Sequence, residues 1–330
     1  MNTKNKPATR STGVGVVRFV LNNKAMILLI IAFVMSCVLT KGNTLTAYNL
    51  TSLLRQIPAY AIMAIGYTIL FATGQFDMSA GSVLSLCTVM FAKWSLEFPL
   101  YVALIGSVVL GAFLELLNAF IIRAFNLNAF ILTLAMSEVI DGIAGQITGG
   151  ANISGLAAST KFLGQALLFD TIPVSFLVAL AVILIAAVIL YRSRFGRHIL
   201  ATGGNLEAAK VSGIKVNFVR IAAFAIQGIC AGITAILLTG RLGMGSPTAG
   251  STYTLDCIAA VVIGGTPQKG GKAKVGGSLF GMFLIVVINN MLMLLGINTY
   301  WQMCAKGAII VIAIVLDSLS DKFAVPLNSK

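Results

Sequence analysis

About ten apolar, nearly uncharged runs, most of them close to 20 residues long, follow one another along this chain. That is the length an α-helix needs to cross about 30 Å of hydrocarbon, where backbone N–H and C=O groups must find partners within the protein. The runs cover residues 25–40, 57–73 (opening at Pro58), 79–96, 98–122, 129–148, 171–191, 218–240, 254–266, 275–296 and 300–316. The run at 254–266 is short, and a glycine-containing break lies near 74–80; both read as partial or re-entrant segments. Composition agrees: 10% of residues are charged, against about 25% in a soluble domain. The expected fold class is an all-α membrane protein of about ten transmembrane helices. Residues 1–24 form a polar arm, 25–317 the membrane domain with a polar loop at 192–217, and 318–330 a tail. A basic arm before an apolar run is also the order of a signal peptide; the many later runs favour an uncleaved first span.

Ten crossings put both termini on one side. With that side cytoplasmic, 17 of the 23 Lys and Arg residues fall inside and 5 outside, with Lys306 in the last run. Basic residues collect in cytoplasmic loops, so the bias sets the orientation. It also accounts for the net charge of +13 without nucleic acid as a partner. Cys37, Cys87, Cys230, Cys257 and Cys304 all lie in apolar runs without a C-x-x-C pair, the pattern of small buried hydrophobes rather than disulfides or metal ligands. Small-xxx-small pairs (Gly145 with Gly149, Gly228 with Gly232, Gly277 with Gly281) allow helices to approach closely in lipid. No internal repeat is evident by inspection.

The chain carries no energy source of its own. The nearest approach to a nucleotide-binding loop, Thr266 to Ala273, has Thr for the first required Gly and Ala for the Mg²⁺-binding hydroxyl. The only histidine, His198, stands among arginines, and no nucleophile–base pair or metal motif is present. No cofactor is expected on this chain.

The longest polar stretch, Arg192 to Val216, holds a short helix with its own punctuation. Gly203-Gly204 reads as a tight turn and Asn205 as a helix cap. Glu207 sits in the first turn, where the positive helix end favours it, Ala208 and Ala209 give a small-residue face, and Ser212-Gly213 supplies the stop. Such a helix suits a groove in another protein; a plain basic loop is the alternative.

The segment GGNLEAAKVSGI, the stretch Thr73-Gly74-Gln75-Phe76-Asp77-Met78-Ser79-Ala80-Gly81-Ser82, and SPTAGSTYTLDCIAAVVIGG at 246–265 together resemble the ribose-type permeases of sugar ABC importers, within the branched-chain amino acid/ribose permease superfamily. The resemblance implies a multi-pass permease in the cytoplasmic (inner) membrane of a bacterium. It implies docking of Gly203–Gly213 on separate ATPase subunits that hold ATP and Mg²⁺, pairing with a second permease copy or homologue, and an extracytoplasmic substrate-binding protein. Two positions depart from the family pattern. Gln75 stands for a usual glycine, and Asp141-Gly142 stands where an Arg-Gly pair is common.

Charged groups at membrane depth must face a cavity or a partner, since a charge at the bilayer centre costs at least about 2.5–3.5 kcal/mol. These are Asp77, Glu115, Glu138, Asp141, Asp256 and Lys306. Asp77 reads either as a gate lining the path or as a cap for the third helix. Glu138 and Asp141 share a helix face and suit a hydroxylated substrate, a cation or a proton. Asn118, Asn289, Asn290 and Gln302 add neutral hydrogen-bonding groups, each for a passing polyol or for helix-to-helix bonds. The expected path is Asp77, Asn118, Glu138, Asp141, Asp256, Asn289, Asn290 and Gln302. The leading function is the permease subunit of an ATP-driven importer for a sugar or related polyol. The alternatives are an ion- or proton-coupled secondary carrier using the carboxylates, or an ABC permease for nucleosides or branched-chain amino acids.

Overall fold

The computed structural model describes residues 23–169, 172–298, 300–305, 307, 308 and 311. The arm before Asn23, Lys306, nearly half of the run at 300–316 and the tail lie outside them. The described chain is built of helices α1 (Lys24–Leu39), α2 (Ala47–Ala72), α3 (Ala80–Glu97), α4 (Leu100–Ala124), α5 (Ala129–Thr148), α6 (Ala158–Gln165), α7 (Val174–Arg192), α8 (Arg194–Gly204), α9 (Leu206–Val211), α10 (Val216–Leu242), α11 (Tyr253–Ile263) and α12 (Val275–Leu294). A small antiparallel hairpin, β1 (Leu167–Leu168) and β2 (Ile172–Pro173), leads into α7. Six of these helices, α2, α4, α5, α7, α10 and α12, are long and apolar enough to cross a membrane, and α1 and α11 are shorter apolar helices.

α2 is the central pillar. Every residue from Ile57 to Thr73 is buried, as expected of a helix that is apolar on all sides and enclosed by neighbours. It begins well before Pro58, which the sequence placed at its opening; the proline sits inside the helix. The proline removes one N–H and clashes with the preceding turn, and surrounding helices hold the segment in place: α10, α7, α12 and α11 all pack on α2.

Two stretches interrupt the helical pattern inside the bundle. Residues 73–79 are non-helical and lead into α3; residues 243–252 do the same before α11. Their contacts are reciprocal. The Gly81 N–H donates to Thr254 Oγ1 at 3.0 Å, and the Gly250 N–H donates to Ser85 Oγ at 2.9 Å. The same offset separates Gly81 from Gly250 and Ser85 from Thr254, and the local sequences correspond, Ser79-Ala80-Gly81-Ser82 with Thr248-Ala249-Gly250-Ser251. The 243–252 segment runs antiparallel to α3: Gly245 lies against Thr88 and Ala92, and Gly250 against Gly81. Beyond this contact, α4 packs on α3 and α10, while its counterpart α12 packs on α11 and α2. The chain therefore contains an inverted internal repeat that inspection of the sequence did not show. Its first helices break the symmetry: α7 packs on α2, but α1 packs on α12.

Two of the three small-xxx-small pairs act as expected. Gly228 and Gly232 on α10 meet the backbone of α4 at Gly111 and Ser107, and Gly277 and Gly281 on α12 meet Gly264 and Ala260. Gly145 and Gly149 have nothing within 4 Å of a built Cβ, so no described residue uses that pair.

A Cβ on Gly250 would overlap the Gly81 carbonyl oxygen, whereas a Cβ at Gly276 meets nothing within 4 Å. Gly250→Ala is expected to destabilise the fold by about 1–3 kcal/mol, the usual cost of forced overpacking. Gly276→Ala is expected to be neutral or slightly stabilising, because Ala is the better helix former. Thermal unfolding of the detergent-purified variants checks the pair; equal stability would show that the two broken segments do not touch as described.

Candidate functional site

The polar loop folds into two short helices. Ser193 starts α8, its Oγ accepting from the Gly196 N–H at 3.0 Å. Asn205 separates α8 from α9, and its Oδ1 accepts from the Ala208 N–H at 3.0 Å. Glu207 pairs with Lys210 at 2.8 Å on the exposed side. Ala209 is buried, while Ala208, Ser212 and Val211 are exposed, Val211 to 89%. Gly213 follows with φ +80°, a left-handed stop that glycine adopts without steric cost.

Gly203 and Gly204 do not form the expected turn. They belong to the last turn of α8, and the missing side chains of Gly203 and, opposite Gly204, of Gly271 serve close packing. A Cβ on Gly203 would overlap the Ala72 carbonyl oxygen, and one on Gly271 would come 2.7 Å from Gly204 Cα. The Gly271 N–H donates to the Ala72 carbonyl at 3.1 Å. Gly270 approaches Gly74 N and Gly203 Cα in the same way, and both Gly270 and Gly271 have positive φ. The end of α8 thus meets, backbone to backbone, the start of the 73–79 break and the loop after α11. That loop is tied further by Lys274 N–H to Thr266 Oγ1 at 3.0 Å and by Val275 N–H to the Tyr191 hydroxyl at 2.9 Å.

Behind this contact lies a fully buried polar cluster at the start of α3. Asp77 Oδ1 accepts from the Ser79 N–H at 2.7 Å and from Ser79 Oγ at 2.6 Å. Asn118 Nδ2 donates to Ser79 Oγ at 2.8 Å and to Glu115 Oε2 at 3.3 Å. Tyr67 donates its hydroxyl proton to the Asp77 carbonyl oxygen at 3.2 Å. Ser79 occupies the cap position of α3, yet its hydroxyl does not cap; it is spent on Asp77. Glu115, one of the charged groups at membrane depth, is not among the expected path residues. The signal that places it is its spacing from Asn118, one turn away on α4.

The other expected path residues fall in separate places. Asp256 on α11 accepts from the Tyr60 hydroxyl at 3.3 Å and from Asn289 Nδ2 at 3.4 Å, beside the stacked Tyr60–Tyr253 rings. Asn290 and Asn49 exchange amide hydrogen bonds of 2.8 and 3.0 Å. The Gln302 side chain donates to the nearby Ile297 carbonyl at 2.8 Å. Glu138 and Asp141 lie exposed on α5, with Ser82 Oγ donating to Asp141 Oδ2 at 2.8 Å. The eight residues therefore form no single cavity.

The chain belongs to the family described as branched-chain amino acid transport system/permease component, whose model matches residues 49–314. It is 34% identical to a ribose import permease protein, RbsC, of Haemophilus influenzae over 310 residues, covering 91% of this chain and 94% of the relative. The RbsC of Bacillus subtilis is 35% identical, covering 82% of this chain and 84% of the relative. A xylose transport system permease protein, XylH, of Escherichia coli is 30% identical, covering 86% and 88%. No solved structure matches the chain significantly.

Ser79→Ala removes the hydroxyl that joins Asp77 to Asn118. Its expected cost is about 1–3 kcal/mol, because buried partners are left unsatisfied. Ser82→Ala, which loses one bond to the exposed Asp141, is expected to cost less. Melting temperatures of the two variants give the comparison, and the reverse order would refute the buried network.

Proposed function

We propose that this chain is the membrane-spanning permease subunit of an ATP-driven importer for a sugar or related polyol. The observation that carries the reading is the backbone contact of Gly203 and Gly204 with Ala72 and Gly270–Gly271. The small helix α9, with its exposed Ala208/Val211 face, follows α8 after Asn205 alone, and the end of α8 is fixed to the feet of both broken spans. A displacement imposed on α9 from outside reaches the interior without passing through flexible side chains. A self-contained carrier needs no such lever. The similarity to ribose and xylose import permeases supports the same reading; with no complete nucleotide loop in the sequence, the reading puts ATP on a partner.

The fuller architecture follows from charge and hydropathy. Ten crossings, with 75–79 and α3 as one broken crossing and 243–252 with α11 as another, leave both termini cytoplasmic. α8, α9 and the 266–274 loop then share the cytoplasmic face with most of the basic residues. An extracytoplasmic binding protein delivers the substrate to the other face. α5 leaves most of its length unburied and carries Glu138 and Asp141 on its exposed side. Two carboxylates cannot face hydrocarbon cheaply, so that side lines a watery path against a second permease subunit.

Ala208→Arg places a bulky charge on the exposed face of α9, away from the internal packing of Ala209. It is expected to lower ATP-dependent uptake at least tenfold and to weaken co-purification of an ATPase bearing G-x-x-x-x-G-K-[ST]. Gly203→Val is expected to retain the ATPase while uptake falls, because the break lies on the inner side of the lever. Uptake and partner both retained in Ala208→Arg would refute the docking surface; unchanged uptake in a folded Gly203→Val would refute the lever.

A further inference from the structure

A cavity of about 650 Å³ opens beside the glycine contact and is distinct from every path residue named above. Four elements build it: Gly74 to Phe76 of the first break, the turn joining α4 to α5, the first turns of α10, and Gln268–Lys269 of the loop after α11. Its volume is that of a small-molecule site. Arg123, Arg220 and Lys269 project their charges at it, Gln75, Asn217 and Gln268 add amides, and no carboxylate lines it. The floor is apolar, from Phe76, Phe130 and Phe224 among others.

Basic residues at helix ends are ordinary in membrane proteins, and Arg123 and Lys269 alone carry no inference. Arg220 is different. It lies within α10, and its Nε is buried without a hydrogen-bond partner. A guanidinium has five donors and no acceptor, and buried polar groups are normally satisfied. Three cations, several amides and no carboxylate define a wall that is rich in donors and carries no negative charge. The group that best fits is a tetrahedral oxyanion, which takes charge-assisted bonds from several donors at once. A neutral sugar would need the amides but not three cations.

We propose that this cavity binds a phosphate ester, either the headgroup of an anionic phospholipid or a soluble sugar phosphate. Basic pockets between helices at the cytoplasmic side of membrane proteins hold anionic headgroups by this physics, and the aromatic floor accommodates the glycerol of a lipid or the ring face of a sugar. The cavity is walled by Gly74 and Lys269, neighbours of the residues that meet α8. Its occupant therefore sits against the lever and braces its two halves.

The test uses the full chain purified in mild detergent with its natural partners and stripped of loosely held lipid. Binding of phosphatidylglycerol, with phosphatidylcholine as control, is counted by native mass spectrometry; binding of glucose 6-phosphate is titrated by calorimetry. The wild type is expected to bind one of the two anionic probes at one site per permease chain. Arg123→Gln/Arg220→Gln is expected to weaken that binding at least tenfold. Lys269→Gln, on an exposed loop where folding is not at risk, is expected to weaken it severalfold. Arg197→Gln, an equal charge change on α8 outside the cavity, is expected to leave it unchanged. Lipid binding alone identifies a headgroup site and sugar phosphate binding alone a soluble-ester site. Binding of neither probe, or equal loss in Lys269→Gln and Arg197→Gln, overturns the proposal.

Discussion

A helical bundle that interrupts its own helices must supply hydrogen bonds to the backbone it exposes, and in a low-dielectric interior water does not do it. Here two interruptions supply one another. Gly81 donates its backbone N–H to the hydroxyl of Thr254 in the first turn of α11, and Gly250 donates to that of Ser85 in the second turn of α3. The exchange requires both backbones to approach closer than any side chain allows, which is why glycine stands at both positions. Thr88 and Ser246 extend the exchange: Thr88 Oγ1 donates to the Ser246 carbonyl at 2.9 Å and accepts its N–H at 3.3 Å. From this pairing follow the placement of α3 and α11, the antiparallel run between them, and the burial of α2 beside both.

The same device recurs where the broken segments reach the surface. Gly203, Gly204, Gly270, Gly271 and Gly74 form a patch in which peptide groups touch peptide groups. Side-chain contacts yield when pushed, because rotamers change at little cost; backbone contacts transmit displacement because the peptide unit is stiff. A helix that moves when a partner closes on it is best joined to the interior in this way. The buried Asp77–Ser79–Glu115–Asn118 cluster then anchors the inner end of the first break. It couples α3 to α4 through a single hydroxyl, so the two helices cannot separate there without stranding buried polar atoms.

Hydropathy made most of the helices legible, because a run of apolar residues near 20 long has few other fates. The caps at Asn205 and the stop at Gly213 were also readable, since each rests on a local rule. The repeat was not. Its signal is seven residues, Ser79–Ser85 against Thr248–Thr254, inside runs whose other positions need only be apolar. Only the reciprocal hydrogen bonds show that the correspondence is structural. Gly203-Gly204 was misread for a related reason: a glycine pair fits a turn and a close approach equally well, and the partner backbones, Ala72 and Gly271, are remote in sequence. The path residues are the least legible. Depth in a hydrophobic run says that a polar group needs a partner, but not whether the partner is a substrate or another helix.

That ambiguity resolves by accounting for partners. Asn290 and Asn49 satisfy one another and so hold α12 to α2, with little left to offer a solute, whereas Asp77 Oδ2, Asn118 Oδ1 and Asn289 Oδ1 are buried with no hydrogen-bond partner among the described residues. Glu138 and Asp141 are otherwise placed, on a helix that buries little of itself and in contact with only one described hydroxyl, that of Ser82. A face that is both exposed and charged is incompatible with lipid on one side and with an apolar interface on the other. It needs water or a polar solute beside it, as the proposed path against a second permease subunit would provide. Weak, scattered contacts along such a wall suit passage, because a group held tightly at one point would not be released at the next.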